Sequence, residues 1–434
     1  MVNAFNVLNE RGFVHQVTDE QAVRALFEPG KPPVVAYCGY DPTGDSLHVG
    51  HLFTLMALMH IERCGHRAIV VLGGGTAMVG DPSGKTEMRQ MISAETIANN
   101  KVQIEQGISR LLNFKEGNSR CVNNAKWLAQ LNYIDFLRDI GRHFSVNRML
   151  AAEAYKLRLE RGLSFLEFNY QLLQAYDFLE LYRRYQCVVQ IGGDDQWGNI
   201  LAGADLVRRL HGVTVYGVTF PLLLTASDEK MGKTAAGAVW LNADRLSPYD
   251  YYQYWVNTQD ADVARLLGFF TFLPMAEIKA IENLSGADLN AAKSILAYEA
   301  TLIVHGQQEA LAAHAAAQAA FGGRTIAPDL LPSSSIPRQA GADLSQLPTI
   351  ELNAAEVNQG VNAVNLIVRA GLAPSNRQAR NQLTQGQYRL DNEPIAVQYA
   401  TEKLPADWFN EPRILQHGKK KVVVRLAANL STVS

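Results

Sequence analysis

The 434-residue sequence is poor in cysteine, in any excess of one charge sign, and in long apolar runs. Its four cysteines, Cys38, Cys64, Cys121 and Cys187, stand apart without a CxxC pair. Buried free thiols in a reducing compartment are therefore expected rather than a disulfide framework or a zinc site. No stretch approaches the roughly 20 apolar residues of a membrane-spanning helix. The opening segment, MVNAFNVLNERG, has no basic run leading into an apolar one, so the expectation is a cytoplasmic chain with no membrane partner. Lys and Arg total 40 against 42 Asp and Glu, a formal net charge of −2, which neither demands nor excludes a nucleic-acid partner. From Glu351 onward ten Lys and Arg face seven Asp and Glu, a mild asymmetry that permits an RNA-binding tail. Low-complexity blocks are missing too, and 47% of residues are hydrophobic. A globular chain of this length implies two or three domains.

What is present has a clear order. Short β-rich runs alternate with helical patterns in the first half, as in a parallel sheet wrapped by helices. Val34–Tyr40, Ala68–Leu72 and Cys187–Ile191 read as buried strands. Leu52, Leu55, Met56, Met59 and Ile61 recur at helical spacing until Gly65. A helical stretch from about 127 to 181 is too long for a simple crossover and reads as an insertion in the sheet domain. After Pro248 the pattern is helical, ending in an Ala-rich run up to Phe321. Residues 323–350 read as a linker, rich in Gly, Pro, Ser and Ala. From 351 a small domain follows, with helical patterns around 362–370 and 376–385 and β-rich segments at 387–390 and 421–426. Ser375 is placed to cap its second helix and Gly386 to end it.

Two nucleotide motifs are near misses. GDPSGKT (Gly80–Thr86) has Val79 where a P-loop needs its first glycine, and GGGTAMVG (Gly73–Gly80) has Met78 where GxGxxG needs its third. A glycine-rich strand-to-helix turn accounts for this segment equally well. DPTGDSLHVGHL (Asp41–Leu52) carries more. It follows a buried strand and enters an amphipathic helix, so His48, Gly50 and His51 fall near a helix N-terminus that attracts phosphate. A nucleotide could approach the backbone at Gly50, where a Cβ would obstruct it. Taken alone, the two histidines could equally be plain surface or a weak metal site. KMGKT (Lys230–Thr234) places two lysines three apart around Gly232, a short cationic loop suited to charge developing on a pyrophosphate. By itself a solvated basic loop explains it as well.

Together, in this order, HVGH and KMGKT resemble the HIGH and KMSKS signatures of class I aminoacyl-tRNA synthetases. YCGYDPTGDSLHVGHL, GDPSGKTEMR, HFSVN, SFLEFNYQLLQAYDFLELY and QIGGDDQWGNI resemble the bacterial-type tyrosyl family in particular. The resemblance is specific from about residue 30 to 235 and weaker beyond. It implies a Rossmann-like, doubly wound parallel-sheet catalytic domain with a helical insertion (1–235, loop 226–235). An all-helical anticodon-recognition domain (248–322) and a small α+β RNA-binding domain of a ribosomal small-subunit type (351–434) would follow.

The resemblance also implies roles. Tyr37 and Asp177 would hydrogen-bond a tyrosine phenol. Asp81, Tyr170 and Gln174 would hold the ammonium, with Gln196 near the carboxylate. Tyr170, Gln174 and Asp177 would share one helix face, being spaced i, i+4, i+7; two polar residues and a tyrosine make a poor core stripe. ATP would lie along Gly39, Asp41, Gly50, Asp195 and Lys233. His48, His51, Thr43, Lys230, Lys233 and Thr234 would stabilise the transition state, and Lys85 and Arg89 would serve the pyrophosphate or the acceptor end. Arg377, Arg380, Lys419, Lys420 and Lys421 are candidates for RNA contact. ATP with Mg²⁺ is the expected substrate complex, with no protein-bound metal. The implied partners are L-tyrosine, tRNA(Tyr) and a second copy of the chain, a homodimer paired through the insertion where HFSVN (His143–Asn147) lies. Three rival readings stand beside this one: a tryptophanyl enzyme, a P-loop-like ATPase or GTPase built on GDPSGKT, and a non-catalytic RNA-binding relative.

Overall fold

A computed structural model describes residues 2–83, 92–114, 119–151, 155, 159–160, 162–227, 231–234, 237–321, 325–339, 347–391, 393–418 and 420–427. The chain forms two compact units, Met1–Gln307 with Pro328–Ile336, and Gln308–Ala327 with Pro337–Ser434.

The first unit is built on six strands: β1 (Gln16–Val17), β2 (Val35–Tyr40), β3 (Arg67–Leu72), β4 (Arg120–Asn123), β5 (Val189–Gly193) and β6 (Tyr216–Phe220). Their order is β1-β6-β5-β2-β3-β4, parallel throughout except that β1 runs antiparallel to β6. β2, β3 and β5 are almost wholly buried, which explains why they read as continuous apolar runs rather than as alternation. The chain leaves β2 for β3 and β4 on one side and returns to β5 and β6 on the other. The strand order therefore reverses between β2 and β5, where open α/β sheets hold their ligands.

Helix α1 (Val49–Arg63) follows β2, capped by His48 and stopped after Cys64 where Gly65 takes φ +87°. Helix α2 (Ala94–Ile108) is capped by Ser93. Helices α3 (Tyr170–Tyr185) and α4 (Trp197–His211) lie against one another. A Cβ on Gly203 of α4 would stand 3.0 Å from the Phe178 ring and 3.5 Å from the Ala175 Cα, so the two backbones approach closely there.

Helices α5 (Pro248–Val256), α6 (Val263–Phe270) and α7 (Gly286–His305) belong to the same unit as the sheet. The boundary expected near residue 248 is not a break in packing. Phe269 of α6 meets Phe53 edge-on and Phe13 at a tilt, and both of these meet Phe220. Burial of each ring contributes roughly 1.5–3 kcal/mol. The 323–350 run also departs from its reading as a linker. Its middle packs on the first unit: Ser333 N–H donates to Glu277 at 3.0 Å, and the Ser334 hydroxyl and Ser335 N–H donate to Glu299 at 2.6 and 3.1 Å. Leu331 and Ile336 are buried beside them. The serines that suggest a linker are spent on two glutamates contributed by helices distant in sequence.

The second unit holds nearly all of α8 (Gln307–Phe321) and a five-stranded sheet. Its strands are β9 (Thr349–Leu352), β10 (Tyr388–Leu390), β11 (Glu393–Pro394), β12 (Arg413–His417) and β13 (Lys420–Leu426), in the order β11-β10-β12-β13-β9. Only β13 with β9 is parallel. Helices α9 (Ala363–Arg369) and α10 (Asn376–Thr384) cover it over a core that includes Ile367, Leu383, Tyr388, Leu415 and Val424. Ser375 caps α10 by accepting from Gln378 N–H, and Gly386 follows its end at φ +71°. The turn after β10 does without glycine. Asp391 takes φ +49° and its carboxylate accepts from Ile414 N–H at 2.8 Å and from Arg413, a side-chain bond of the kind that lets Asp tolerate this conformation.

Candidate active site

A cleft of about 410 Å³ opens at the carboxyl ends of β2 and β5. It is lined by Tyr37, Gly39, Asp41, Thr43, His48, Gly50, His51, Asp81, Tyr170, Gln174, Asp177, Asp195 and Gln196. Thus every substrate-contacting residue read from the sequence in segments 37–81 and 170–196 converges on one cavity. Lys85, Arg89 and Lys230 lie outside the described residues; Lys233 and Thr234 are described only as backbone, in a two-residue strand paired with Gly237–Ala238.

At its deep end the cleft is polar in an apolar surround. The Tyr37 hydroxyl is buried and has no hydrogen-bond partner, and its ring meets Phe178 edge-on. Burial, and then the charge of Asp177, push the Tyr37 phenol well above its ordinary pKa. Asp177 is buried as well. Its two oxygens accept from Asn124 Nδ2 at 2.9 Å and Trp127 Nε1 at 2.7 Å. Burial raises its pKa from 3.8 to about 7, although both hydrogen bonds act to lower it. Asn124 itself is fixed by Gly75 N–H, which donates to its Oδ1 at 2.7 Å, and it donates to Thr76 Oγ1 at 3.0 Å. Thr76 in turn donates to Asp41 Oδ1 at 2.7 Å, and the Tyr170 hydroxyl donates to Asp41 Oδ2 at 3.2 Å.

A second network forms one wall. Asp81 accepts from Ser83 N–H at 2.9 Å and from Gln196 Nε2 at 2.7 Å, and burial raises its pKa. Asn199, buried on α4, donates to Gln174 Oε1 at 3.1 Å and Gln196 Oε1 at 3.3 Å. Thr76, Asn124, Trp127 and Asn199 are the supporting residues that sequence reasoning missed. Asn124 and Trp127 follow the carboxyl end of β4, so their position relative to the sheet is the one signal that could have found them.

At the mouth, the two histidines of HVGH cap the helix they open. His48 Nδ1 accepts Gly50 N–H at 3.0 Å and His51 Nδ1 accepts His48 N–H at 3.2 Å. An imidazole that accepts at Nδ1 carries its proton on Nε2 when neutral, so both rings have a set tautomer. A Cβ at Gly50 would come within 2.8 Å of the His48 ring, so a side chain there would displace the capping imidazole. The segment after KMGKT pairs with this same turn: Val49 N–H donates to Val239 O at 3.0 Å, and Leu241 N–H to Leu47 O at 2.8 Å. The two motifs, far apart in sequence, are joined through backbone.

In the second unit Arg377 and Arg380 lie exposed on α10, and Lys420 is exposed on β13. Lys419 is outside the described residues. Lys421 does not join them. It is buried, its ammonium donates to the Ala320 carbonyl at the end of α8, and it sits over the Phe321 ring. Along β13, Lys421 and Val423 alternate with the core valines Val422 and Val424, and the end of α8 covers their face at Lys421, which corrects its place among the RNA-contact candidates.

The sheet reversal, the histidine-capped helix beside it and the backbone-linked second motif define a nucleotide-binding α/β enzyme of the class I synthetase type. The family described as tRNA synthetases class I (W and Y) matches residues 29–322. A tyrosine–tRNA ligase of Desulfosudis oleivorans is 54% identical, covering 98% of this chain and all of that protein. One from Syntrophus aciditrophicus is 53% identical over 91% of both. A C-terminally truncated mitochondrial tyrosyl-tRNA synthetase of Aspergillus nidulans superposes with a TM-score of 0.63 at 32% identity, over 72% of this chain and 93% of that one. The chain belongs to the class I aminoacyl-tRNA synthetases, in the family that unites tryptophanyl and tyrosyl enzymes. Within that family it is of the bacterial tyrosyl type. No described helix is long and apolar enough to cross a membrane, and the described residues hold no group of three or more His, Cys, Asp or Glu able to hold a metal ion.

Proposed function

We propose that this site joins L-tyrosine to ATP as tyrosyl-adenylate, releases pyrophosphate, and passes the tyrosyl group to the 3′ end of tRNA(Tyr). The observation that carries the tyrosine reading is the pair at the base of the cleft, a buried Tyr37 hydroxyl without a partner and a buried Asp177 carboxylate. A substrate phenol would accept from Tyr37 and donate to Asp177. Phenylalanine would leave the buried Tyr37 hydroxyl unpaired and Asp177 with only Asn124 and Trp127, the kind of discrimination for which tyrosyl enzymes are the worked illustration.

In the first step a tyrosine carboxylate oxygen attacks the α-phosphorus as the bond to the leaving pyrophosphate breaks. No proton moves, so no general base is needed, and rate enhancement comes from positioning and from charge stabilisation. Asp81, Tyr170 and Gln174 hold the ammonium, with Gln196 by the carboxylate. Gly39, Asp41, Gly50 and Asp195 line the nucleotide. Thr43, and His48 and His51 through Nε2–H, face the phosphates at the α1 N-terminus. Lys230, Lys233 and Thr234 close over them, Lys85 and Arg89 serve the pyrophosphate or the acceptor end, and Mg²⁺ arrives bound to ATP. The exposed Arg377 and Arg380, with Lys419 and Lys420, give the second unit a face for RNA, and the helices after Pro248 serve anticodon recognition. The enzyme works in the cytoplasm as a homodimer. Tyr133, Ile134, Val146 and Phe165, each more than half exposed in the insertion, supply the apolar surface that pairing would cover.

Exchange of labelled pyrophosphate into ATP tests this, run with each amino acid and without tRNA. Exchange with tyrosine alone is the expected result. Exchange with tryptophan alone would move the substrate, and no exchange with any amino acid would leave only a non-catalytic relative.

A further inference from the structure

The approach to KMGKT and its central glycine are held by side chains that do not line the cleft. On the entering side, Ala226 N–H donates to Asp262 Oδ2 at 3.0 Å and Gln259 Nε2 donates to Ser227 Oγ at 3.1 Å. Arg265 donates at once to the Leu224 carbonyl and to Asp262 Oδ1. Within the motif, Gly232 N–H donates to the Tyr254 phenol oxygen at 3.3 Å. Tyr254 is on α5, Asp262 precedes α6 and Arg265 is on it. Asp262 is only 3% exposed, where a carboxylate persists only when fully partnered; its partners are one loop N–H and one guanidinium.

The anchored glycine has a demanding position. Gly232 takes φ +81°, and a Cβ there would stand 3.3 Å from Gly50 N and 3.6 Å from Val49 Cβ. Its backbone thus rests on the first turn of α1. Val239 N–H donates to the Gly232 carbonyl at 2.9 Å and the Val239 carbonyl accepts from Val49 N–H at 3.0 Å. A continuous hydrogen-bonded path therefore runs from the Tyr254 phenol through Gly232 and Val239 to the turn that carries HVGH.

We propose that Tyr254, Asp262 and Arg265 are positioning residues for adenylate formation, holding the approach to KMGKT and its central glycine so that Gly232 is registered against the N-terminal turn of α1. This rests on the reading of the cleft as an ATP and tyrosine site. None of the three lines the cleft. They act by fixing the loop backbone, and through it the distance between the two phosphate-facing motifs, on which positional catalysis depends steeply.

Tyr254→Phe removes one oxygen and keeps the ring that packs edge-on against Trp255. Loss of one neutral hydrogen bond should lower the kcat of pyrophosphate exchange about fivefold. Tyrosine affinity measured without ATP, and the thermal midpoint, should not change. Asp262→Asn keeps an acceptor for Ala226 but loses the charge opposite Arg265, and should cost about tenfold in kcat with tyrosine affinity again unchanged. Because both variants act on one segment, the double variant should lose less than the product of the two. Exchange kinetics equal to those of the unaltered protein, or losses that follow tyrosine affinity or the thermal midpoint, would overturn the inference. No exchange by the unaltered protein would sink the reading of the site and this inference with it, whereas an active unaltered protein with silent variants would sink the inference alone.

Discussion

Tyr37 and Asp177 each give a direct test of the phenol site. Tyr37→Phe removes one of the two polar partners for a substrate phenol. It should weaken tyrosine binding by about 1 kcal/mol, or about fivefold, and narrow the preference over phenylalanine, as read from exchange kinetics with both amino acids. Asp177 adds a pH signature. A phenol donates best to the ionised carboxylate, and that form gains population as pH rises past about 7. Tyrosine affinity should therefore strengthen between pH 6 and 8, and Asp177→Asn should flatten the profile in titrations across that range. For stability the sign is reversed. With the folded pKa raised above 3.8, the favourable contribution of Asp177 is complete below about 3.8 and is lost as pH climbs through about 7. The positions that would touch substrate were legible in the sequence because motif order carried them. Asn124, Trp127, Thr76 and Asn199 were not, since they hold other side chains across the fold and have no local spacing to betray them.

Among the elements, the buried strands were legible for a plain reason. β2, β3 and β5 are covered on both faces, so their composition alone marks them. β1, two residues long, and β4, partly exposed, carry too little pattern to be seen. The loop cut into 323–350 misled because Ser and Pro are equally good at filling a linker and at pinning a packed segment; the buried Glu299 that decides between them lies over 30 residues away. The contact of α3 with α4 offers a test at this scale. Gly203→Ala brings a methyl to 3.0 Å from Phe178 and should destabilise the first unit by about 1–3 kcal/mol, seen as a lower thermal midpoint in calorimetry. Lys421 offers another. Lys421→Ala should lower the stability of the second unit and leave the salt dependence of RNA binding intact. Arg380→Ala should do the opposite, reducing the slope of log affinity against log salt by about 1.

On the scale of the whole molecule, the near-neutral charge hides a division of labour, with the positive bias confined to residues after Glu351. RNA affinity should accordingly be shared out unevenly. Removal of residues 337–434 should weaken tRNA binding, and weaken it most at low salt, while tyrosine-dependent exchange persists, because the described residues that line the cleft all come from the first unit. Exchange and filter-binding assays on the shortened chain at two salt concentrations would check this. Sedimentation at micromolar concentration should give a dimer, and Phe165→Glu, which places a charge on the exposed apolar surface of the insertion, should shift it to monomer.

The strand order of the second sheet has a consequence for how the protein is made. β13 lies between β12 and β9, yet it is the last of the described strands to leave the ribosome. β9 is translated more than 60 residues earlier, and among the described strands β13 is its one sheet neighbour. This late, non-local closure is slow by nature, and it leaves an open strand edge on the nascent chain while synthesis continues. Ribosomes stalled shortly before residue 420 should display that edge to a holdase chaperone or to the same strand of a neighbouring copy. The sheet of the second unit would then close only once β13 has been made.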